Sequence, residues 1–473
     1  MREVPAVALH NAKETAADPA ADIFTSPISE RPLPKRTMPE LPAPPHVVHQ
    51  LLRNELLLDG NAAQNLATFC TTWADDEVRR LMDQCLDKNI VDKDEYPQTA
   101  EIESRCVNIL ASLWHAPLGS GGDGAEPAVG CSTTGSSEAA MLCGLALKWR
   151  WRDRRRAAGL PADRPNLVCG PVQVCWEKFA RYFDVELRQV PVESGATGLQ
   201  AHQLRDYVDE NTIGVVAIMG VTYTGMYEPV KEIAAALDKI QAETGLDVKI
   251  HVDGASGGMI APFLQPDLEW DFRVDRVVSI STSAHKYGLV YPGLGWVVWR
   301  TVDDLPKDLV FDVTYLGGHM PTFALNFSRP GAQVLLQYYL FLRLGWDGYR
   351  KVQQASQDVA VYLSSEIGKM DAFELWNDGT DIPVFAWQLK KGHTDKWNLY
   401  HLSERLRLKG WLIPAYPMPD DISDLVVQRI VVRNGLSRNL AESLLLDIQE
   451  ATEFLDALES PMPIEGQVSS FTH

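Results

Sequence analysis

Five short apolar segments alternate with helical patterns between about residues 100 and 300, and this alternation limits the fold more than any other feature. The segments are NLVCG (166–170), IGVVAIMG (213–220), VKIHVDG (248–254), RVVSIS (276–281) and GWVVWR (295–300). Such runs are typical of strands in a parallel sheet that helices cover on both faces. Residues Pro229 to Thr244 begin with a proline and carry an apolar stripe, which predicts a crossover helix between two of these strands. The predicted fold class is therefore α/β, and ligands bind such sheets beyond the carboxyl ends of the strands.

The flanking sequence adds an arm, a smaller domain and a tail. Residues 1 to about 45 carry prolines at 27, 32, 34, 39, 42, 44 and 45, which indicates an arm that is either disordered or wrapped around a neighbouring subunit. From Val47, HVVHQLLRNELLL predicts a helix that ends at residues 59–61. After about residue 345, the helical patterns YLSSEIGKM and LYHLSERLRLKG and the strand pattern LVVQRIVVR indicate a small α+β domain. The predicted divisions are an arm and helix (1–60), a large domain (61–350), a small domain (351–460) and a tail (461–473).

Composition excludes several classes of partner. The net charge is −19, from 63 acidic and 44 basic residues, which argues against nucleic acid. The one basic cluster, KWRWRDRRR at 148–156, is expected to close a helix, where cations complement the dipole. The chain has no apolar run near the roughly 20 residues that cross a bilayer and no signal-like start, so we expect a cytoplasmic protein without a membrane span. The seven cysteines show no CxxC spacing and the eleven histidines are scattered, so we expect reduced thiols and no metal site.

Three segments each place reactive groups where a strand ends or a helix begins. HVDGASGG puts Asp253 at the end of a strand, and STSAHKYG puts Lys286 behind the next strand. In TTGSSEAAMLCG, Gly135 and the serines Ser136 and Ser137 lead into a helix whose first turn would present free N–H groups to a phosphate. Each feature alone has a plainer interpretation, because Asp253 could cap the next helix and a serine could be an ordinary N-cap with Glu138 nearby.

Together, the three segments point to one cofactor. Pyridoxal phosphate needs a lysine that binds its aldehyde, an acid against its pyridine nitrogen and an anion site. An ammonium behind a buried strand is costly, and covalent attachment to the cofactor would remove that cost. The sequence therefore predicts a pyridoxal 5'-phosphate enzyme.

Seven motifs in chain order resemble the pyridoxal-phosphate-dependent glutamate decarboxylases of the bacterial and plant type (group II decarboxylases). They are TGSSEA, PVQVCWEKFARY, GVTYTG, HVDGASGG, SAHKYG, NFSRP and LSERLRLKGW, and the resemblance extends over roughly residues 50 to 440. It implies an aspartate-aminotransferase-like fold (fold type I), with a large mainly parallel-sheet domain, a small α+β domain and an N-terminal arm. It also implies an active site shared across a homodimer, with a hexamer as a further assembly, and the conversion of L-glutamate to 4-aminobutyrate with loss of CO₂.

The resemblance also implies roles for individual residues. Lys286 resembles the lysine that binds the cofactor aldehyde, and Asp253 the partner of the pyridine nitrogen. The residues that resemble the phosphate cradle are Ser136, Ser137, Ser283, His285 and, from a neighbouring subunit, Ser328. Gln173 is similar to the residue that lies over the ring, while Thr222 and Ala255 would border its other edge and face.

Substrate contacts and mobile elements follow from the same resemblance. Thr68 and Phe69 in ATFC, with Asp92 in VDKDEYPQ, match the segments that meet the distal carboxylate, and Arg433 in RIVVRNG matches the residue for the α-carboxylate. Tyr315 in VTYLGG would deliver the proton to the substrate α-carbon. The tail VSSFTH resembles the segment of acid-induced relatives that plugs the site with its last residue, here His473, although a disordered tail is the alternative.

Other functions remain open from the sequence. A carboxylate at Asp92 would repel the substrate unless the two share a proton, so activity is expected to be highest at acid pH. The acidic tail does not resemble the calmodulin-binding extension of plant relatives. An aminotransferase, or a decarboxylase of another amino acid, would use the same core. A non-enzymatic cofactor-binding protein is disfavoured because the lysine, the acid and the loop are intact.

Overall fold

The structure is a computed structural model that describes residues 34–117, 127–193, 196, 198–313 and 320–463, with only the backbone at 312, 313, 320, 321 and 420. The chain divides into two compact units, residues 1–64 and 65–473. In the first unit, helix α1 (Pro45–Glu55) begins with a proline and continues into a short 3₁₀ turn at Leu56–Leu58. The helix predicted from HVVHQLLRNELLL is therefore confirmed.

The second unit is built around a seven-stranded sheet. Its strands are β1 (Val129–Thr133), β2 (Asn166–Cys169), β3 (Glu186–Gln189), β4 (Thr212–Ile218), β5 (Ile250–Asp253), β6 (Val277–Thr282) and β7 (Gly295–Trp299). Their order across the sheet is β1-β7-β6-β5-β4-β2-β3. Strands β2 to β6 pair in parallel, which confirms the prediction of a mainly parallel α/β sheet.

Strand β7 departs from the prediction. The sequence predicts GWVVWR as one more parallel strand, but this strand pairs antiparallel with both β6 and β1. A parallel neighbour needs a crossover, usually a helix, to return the chain to the same end of the sheet. The connection from β6 to β7, residues 283–294, contains no helix, so β7 runs back from the edge where β6 ends. That short connection carries Lys286.

Helices surround this sheet and the smaller one described below. They are α2 (Asp76–Gln84), α3 (Pro97–Leu113), α4 (Ser136–Ala157), α5 (Val174–Tyr182), α6 (Leu204–Tyr207), α7 (Val230–Thr244), α8 (Ala261–Leu264), α9 (Ala332–Ile367), α10 (Leu399–Leu408) and α11 (Arg438–Asp456). Helix α7 links the parallel strands β4 and β5, as predicted from its proline and apolar stripe. The basic cluster ends α4, also as predicted. Among the described helices, none is long and apolar enough to cross a membrane.

Strand β4 shows why the central sheet must be covered on both sides. Val215 and Ala217 pack into one hydrophobic cluster, whereas Val216 and Ile218 pack into another. This alternation follows from the two-residue period of a strand, which points successive side chains to opposite faces. All seven residues of β4 are buried, and after Thr212 its sequence is continuously apolar, with no alternation of polar and apolar residues.

The C-terminal part forms a four-stranded antiparallel sheet. Its strands, in the order β10-β11-β13-β12, are β10 (Phe373–Leu375), β11 (Val384–Leu389), β12 (Ala415–Pro417) and β13 (Val426–Val431), while β8 (Phe311–Val313) pairs with β9 (Met320–Thr322). Helices α9 and α10 and strand β13 confirm the three patterns predicted after residue 345. Two helical segments of α9 meet at Gly345, whose φ of 58° favours glycine. The domain boundaries at 350 and 460 stay predictions.

Candidate active site

Lys286 lies just beyond the carboxyl end of β6, against residues from two other segments. Its Nζ donates a hydrogen bond to Ser256 Oγ, 3.3 Å away, in the turn after β5. Thr71 fixes the backbone here, because its N–H bonds the His285 carbonyl and its hydroxyl bonds the Lys286 carbonyl, both at 2.7 Å. The Lys286 ammonium also lies 4.7 Å from the centre of the Phe69 ring. Lys286 is therefore held by two segments, the turn after β5 and residues 69–71.

The surroundings of Lys286 favour a reactive amine. Burial lowers the pKa of Lys286, and the positive charge of Arg429 acts in the same direction, while the nearby carboxylate of Asp253 opposes them. A lysine whose pKa is lowered spends more time as the neutral amine, which is the form that attacks an aldehyde carbon. This is the property that the sequence prediction requires of Lys286.

Asp253 ends β5 and both of its carboxylate oxygens are held. Oδ2 accepts a hydrogen bond from Trp176 Nε1 at 2.8 Å, and Oδ1 accepts one from the Ala255 N–H at 3.0 Å. The next helical turn, Gly257–Met259, has no side-chain cap, so the helix-capping alternative for Asp253 is not observed. Asp253 is buried, and a buried carboxylate with fixed oxygens is suited to pair with a cationic ring nitrogen.

The turn between β1 and α4 contacts the lysine segment. Gly135 is the N-cap residue of α4, with φ 153°, and a Cβ at this position would lie 3.0 Å from His285 Cε1. Only glycine allows both this conformation and this approach. Ser136 and Ser137 are the first two helical residues, so the serine N-cap alternative is wrong, and Glu138 instead accepts from the Thr134 and Asn326 N–H groups.

Two polar atoms without hydrogen-bond partners among the described residues lie in the lysine segment that contacts this turn, and both suit a phosphate. Ser283 Oγ and His285 Nδ1 are both buried, and neither has a hydrogen-bond partner in the described part of the chain. Burial, with the charge of Lys286 acting in the same direction, lowers the pKa of His285 to about 4. A phosphate would supply hydrogen-bond partners and a compensating negative charge. The residues present therefore fit pyridoxal phosphate, with the anion between α4 and His285 and the aldehyde toward Lys286.

Arg429 is a site residue that the sequence reasoning missed. It lies on β13, and its guanidinium is 4.9 Å from the centre of the same Phe69 ring that Lys286 contacts. Its Nη1 donates to the Thr222 carbonyl, and its Nη2 to the Ala67 carbonyl at 2.8 Å. The motif RIVVR contains both Arg429 and Arg433, and the fact that Arg429 lies within a buried strand was the signal that could have identified it.

Arg433 also lies at this site, but it binds the backbone of the ATFC segment. Its guanidinium donates to the carbonyls of Asn65 and Cys70 and, at 3.3 Å, to Thr72 Oγ1. Burial lowers the pKa of Arg433. Thr68 forms a hydrogen bond within its own segment, because its Oγ1 accepts the Cys70 N–H at 3.3 Å. Arg433 thus shapes the segment that carries Phe69.

The other predicted residues lie in different places. Gln173 caps helix α5, because its Oε1 accepts the Cys175 N–H at 2.7 Å, and its side chain stays exposed. Asp92 and Ser328 each contact Asn89, whose side-chain amide donates to Ser328 Oγ at 3.3 Å and whose backbone carbonyl accepts the Asp92 N–H at 3.2 Å. We call these three residues the Asn89 cluster. Tyr315 and His473 lie outside the described residues.

Comparisons with known proteins agree with this geometry. Residues 39–390 match the model of the pyridoxal-dependent decarboxylase conserved domain. A glutamate decarboxylase of Aliivibrio fischeri is 55% identical over 94% of this chain and 95% of its own length, and glutamate decarboxylase beta of Listeria innocua is 46% identical over 94% of each chain. The solved structure of a Lactobacillus brevis glutamate decarboxylase has 47% identity and a TM-score of 0.88, covering 92% of this chain and 98% of that one. The chain belongs to the pyridoxal-dependent decarboxylase family.

Proposed function

We propose that this protein is a glutamate decarboxylase, which converts L-glutamate and a proton into 4-aminobutyrate and CO₂ with pyridoxal phosphate as its cofactor. The assignment of glutamate as the substrate rests on the 46–55% identity to glutamate decarboxylases over 94% of the chain. The geometry at Lys286, Asp253 and the unpartnered Ser283 and His285 supports the cofactor. When bound, pyridoxal phosphate supplies a ring that accepts the electron pair left on the α-carbon as CO₂ departs.

The side chains have separate tasks in this reaction. Lys286 would hold the cofactor aldehyde through Nζ, because its lowered pKa favours the neutral amine that bonds a carbonyl carbon. Asp253 balances the positive charge of the pyridine nitrogen, while Ser136, Ser137, Ser283 and His285 hold the phosphate. The cations beside Phe69 orient the substrate, and the fixed orientation decides which bond to the α-carbon breaks. Tyr315 stays the proposed donor of the proton to the α-carbon.

The α-carboxylate has two candidate partners. The sequence prediction names Arg433, whereas the shared Phe69 ring places Arg429 beside Lys286. Both arginines also bind backbone carbonyls in the segment 65–70, Arg429 that of Ala67 and Arg433 those of Asn65 and Cys70. We favour Arg429 as the contact for the α-carboxylate, because its guanidinium and the Lys286 ammonium approach the same Phe69 ring, and Arg433 as a residue that holds the segment.

Matched lysine substitutions decide between the two arginines. Lysine keeps the charge but loses the paired N–H geometry of the guanidinium, so Arg429→Lys is expected to lower kcat/KM for glutamate by roughly 10- to 100-fold, mainly through KM. Arg433→Lys is expected to lower the melting temperature with a smaller effect on KM. Steady-state kinetics of both variants provide the measurement, and the reverse pattern would assign the α-carboxylate to Arg433.

The Asn89 cluster supports an assembly of at least two subunits. Asp92 and Ser328, two residues with implied active-site roles, share this cluster rather than the contacts around Lys286. In the proposed homodimer, the cluster of one subunit completes the site around the partner subunit's Lys286. A hexamer, residence in the cytoplasm and an inhibitory role for His473 stay predictions.

A direct assay tests the proposed activity. Purified protein with pyridoxal phosphate and carboxyl-labelled L-glutamate should release CO₂ and 4-aminobutyrate in equal amounts, with a maximum below pH 7. The acid preference follows because Asp92 and the distal carboxylate of glutamate repel each other unless they share a proton. Asp92→Asn should change the acid limb of the profile, whereas the exposed neighbour in the control variant Asp94→Asn should not. Formation of 2-oxoglutarate without CO₂ would instead indicate an aminotransferase, and turnover of another amino acid alone would indicate a different decarboxylase.

A further inference from the structure

Trp176 is the side chain that directly binds the acid of the proposed site. It lies in helix α5 and is completely buried, and its indole N–H donates to Asp253 Oδ2 at 2.8 Å. The opposite oxygen, Oδ1, accepts the Ala255 N–H at 3.0 Å. Two donors on two oxygens fix the plane of a carboxylate and leave its remaining lone pairs for one further partner. The orientation of Asp253 is therefore set from outside the strand that carries it.

The indole ring is itself held by packing. The ring of His251 lies 5.2 Å from Trp176, centre to centre, and Phe179 approaches edge-on at 6.0 Å. His251 bonds the hydroxyl groups of Ser279 and Ser281, at 2.8 and 3.2 Å, through its two ring nitrogens. Burial lowers the pKa of His251 to about 4, so it is neutral near pH 7 and adds no positive charge behind Asp253. Trp176 thus binds Asp253 from within a packed and buried cluster of aromatic rings.

The hydrogen bond that Trp176 donates favours negative charge on the oxygen that accepts it. A donor to a carboxylate stabilises the ionised form relative to the carboxylic acid. When Asp253 faces a pyridine nitrogen, the two groups share one proton, which lies either on the nitrogen beside a carboxylate or on the acid beside a neutral ring. The Trp176 N–H favours the first arrangement, and only a protonated ring withdraws electrons strongly from the α-carbon.

We infer that Trp176 is a positioning residue, which fixes the Asp253 carboxylate in the orientation that pairs with a protonated pyridine nitrogen of the cofactor. This inference rests on the proposed function, because it requires bound pyridoxal phosphate. It adds a residue that contacts the acid rather than the cofactor.

The test compares Trp176→Phe with a matched control, Trp387→Phe. Trp387 is also completely buried, but it lies in the smaller sheet and its indole nitrogen has no hydrogen-bond partner among the described residues. Both substitutions remove the same atoms from a packed core, but only Trp176 donates a hydrogen bond to Asp253. The probe is pyridoxal phosphate labelled with ¹⁵N in the ring, whose chemical shift reports protonation of the nitrogen directly.

We expect the ring nitrogen of the unsubstituted protein to be protonated, and Trp176→Phe to move its shift toward the neutral value. Affinity for the cofactor should fall by roughly 10-fold, the loss of a charge-assisted hydrogen bond, and kcat should fall more than KM changes. Trp387→Phe should match the unsubstituted protein in all three measurements. An unchanged ¹⁵N shift and an affinity within about 2-fold in Trp176→Phe would overturn the inference.

A measurement on the unsubstituted protein covers the case in which Trp176→Phe does not fold. With ¹⁵N-labelled tryptophan, the indole resonance of Trp176 should shift when pyridoxal phosphate is added to the apoprotein, while that of Trp387 should not. A Trp176 resonance that ignores the cofactor would refute the link to Asp253. Failure of the proposed function is a different result, because the unsubstituted protein would then bind no cofactor or release no CO₂.

Discussion

Replacing Lys286 with alanine should leave a purified protein that has no visible absorption from covalently held cofactor and decarboxylates glutamate at least about 10³-fold more slowly. Nζ is the only atom of this side chain that can bond the aldehyde, and Ser256 and Phe69 hold it in place. The variant should still fold, because the hydrogen bonds from Thr71 go to backbone carbonyls that alanine keeps. Absorption spectra and single-turnover rates provide the measurement.

Lys148 offers a matched control for this substitution. It is also partly buried, and burial lowers its pKa too, but its ammonium binds the carbonyl of Phe183. Lys148→Ala should therefore lose stability and keep both the absorption and the rate. A yellow and fully active Lys286→Ala protein would show that another nitrogen holds the cofactor, and the interpretation of the site would be wrong.

The second large effect is expected at Asp253. Asparagine keeps the shape but removes the charge, and its amide nitrogen cannot accept from Trp176 or Ala255 as a carboxylate oxygen does. With no anion to hold the proton on the pyridine nitrogen, Asp253→Asn should lower kcat by on the order of 10²–10³, the cost of losing one preorganised electrostatic contact at a reacting centre. Steady-state kinetics with saturating pyridoxal phosphate separate this loss from weaker binding of the cofactor.

Asp304→Asn is the corresponding control. Asp304 is as buried as Asp253, but it pairs with Arg150 and caps a short 3₁₀ turn at Thr301. Its replacement should lower the free energy of unfolding and leave kcat nearly unchanged. If Asp253→Asn behaved in the same way, Asp253 would be a structural carboxylate, and the ring nitrogen would have to be balanced by another group.

The sequence predicts those parts of the fold that depend on local pattern. Continuous apolar runs identify strands β2, β4, β5 and β6, and the proline and stripe of α7 identify a crossover, because burial on both faces and helix initiation are local properties. Strand β3 was missed because its sequence, ELRQ, is polar and only partly buried. The direction in which β7 runs is not determined by its own sequence. Its residues are equally apolar in either direction, and only the helix-free connection that carries Lys286 decides that it runs antiparallel.

The site residues divide in the same way, into those marked by local pattern and those defined by contacts between distant segments. Lys286, Asp253 and the α4 turn were predicted because each marks the end of a recognisable element. Trp176 and Arg429 were missed because their roles arise from contacts between distant segments, with Asp253 and Phe69 respectively. A buried tryptophan and a strand arginine look structural in a sequence. The glycine at position 135, the N-cap of α4, likewise reflects a distant contact, because His285 from the connection between β6 and β7 approaches it closely.

The anchoring of Phe69 has a consequence for protein engineering. Residues 65–72 bind the lysine loop through Thr71 and bind the smaller sheet and the turn after it through Arg429 and Arg433. These hydrogen bonds thus join three regions that are distant in sequence. A chimera designed to change substrate preference should therefore transplant residues 65–72 and 429–433 together, since either stretch alone would lose its own hydrogen-bond partners.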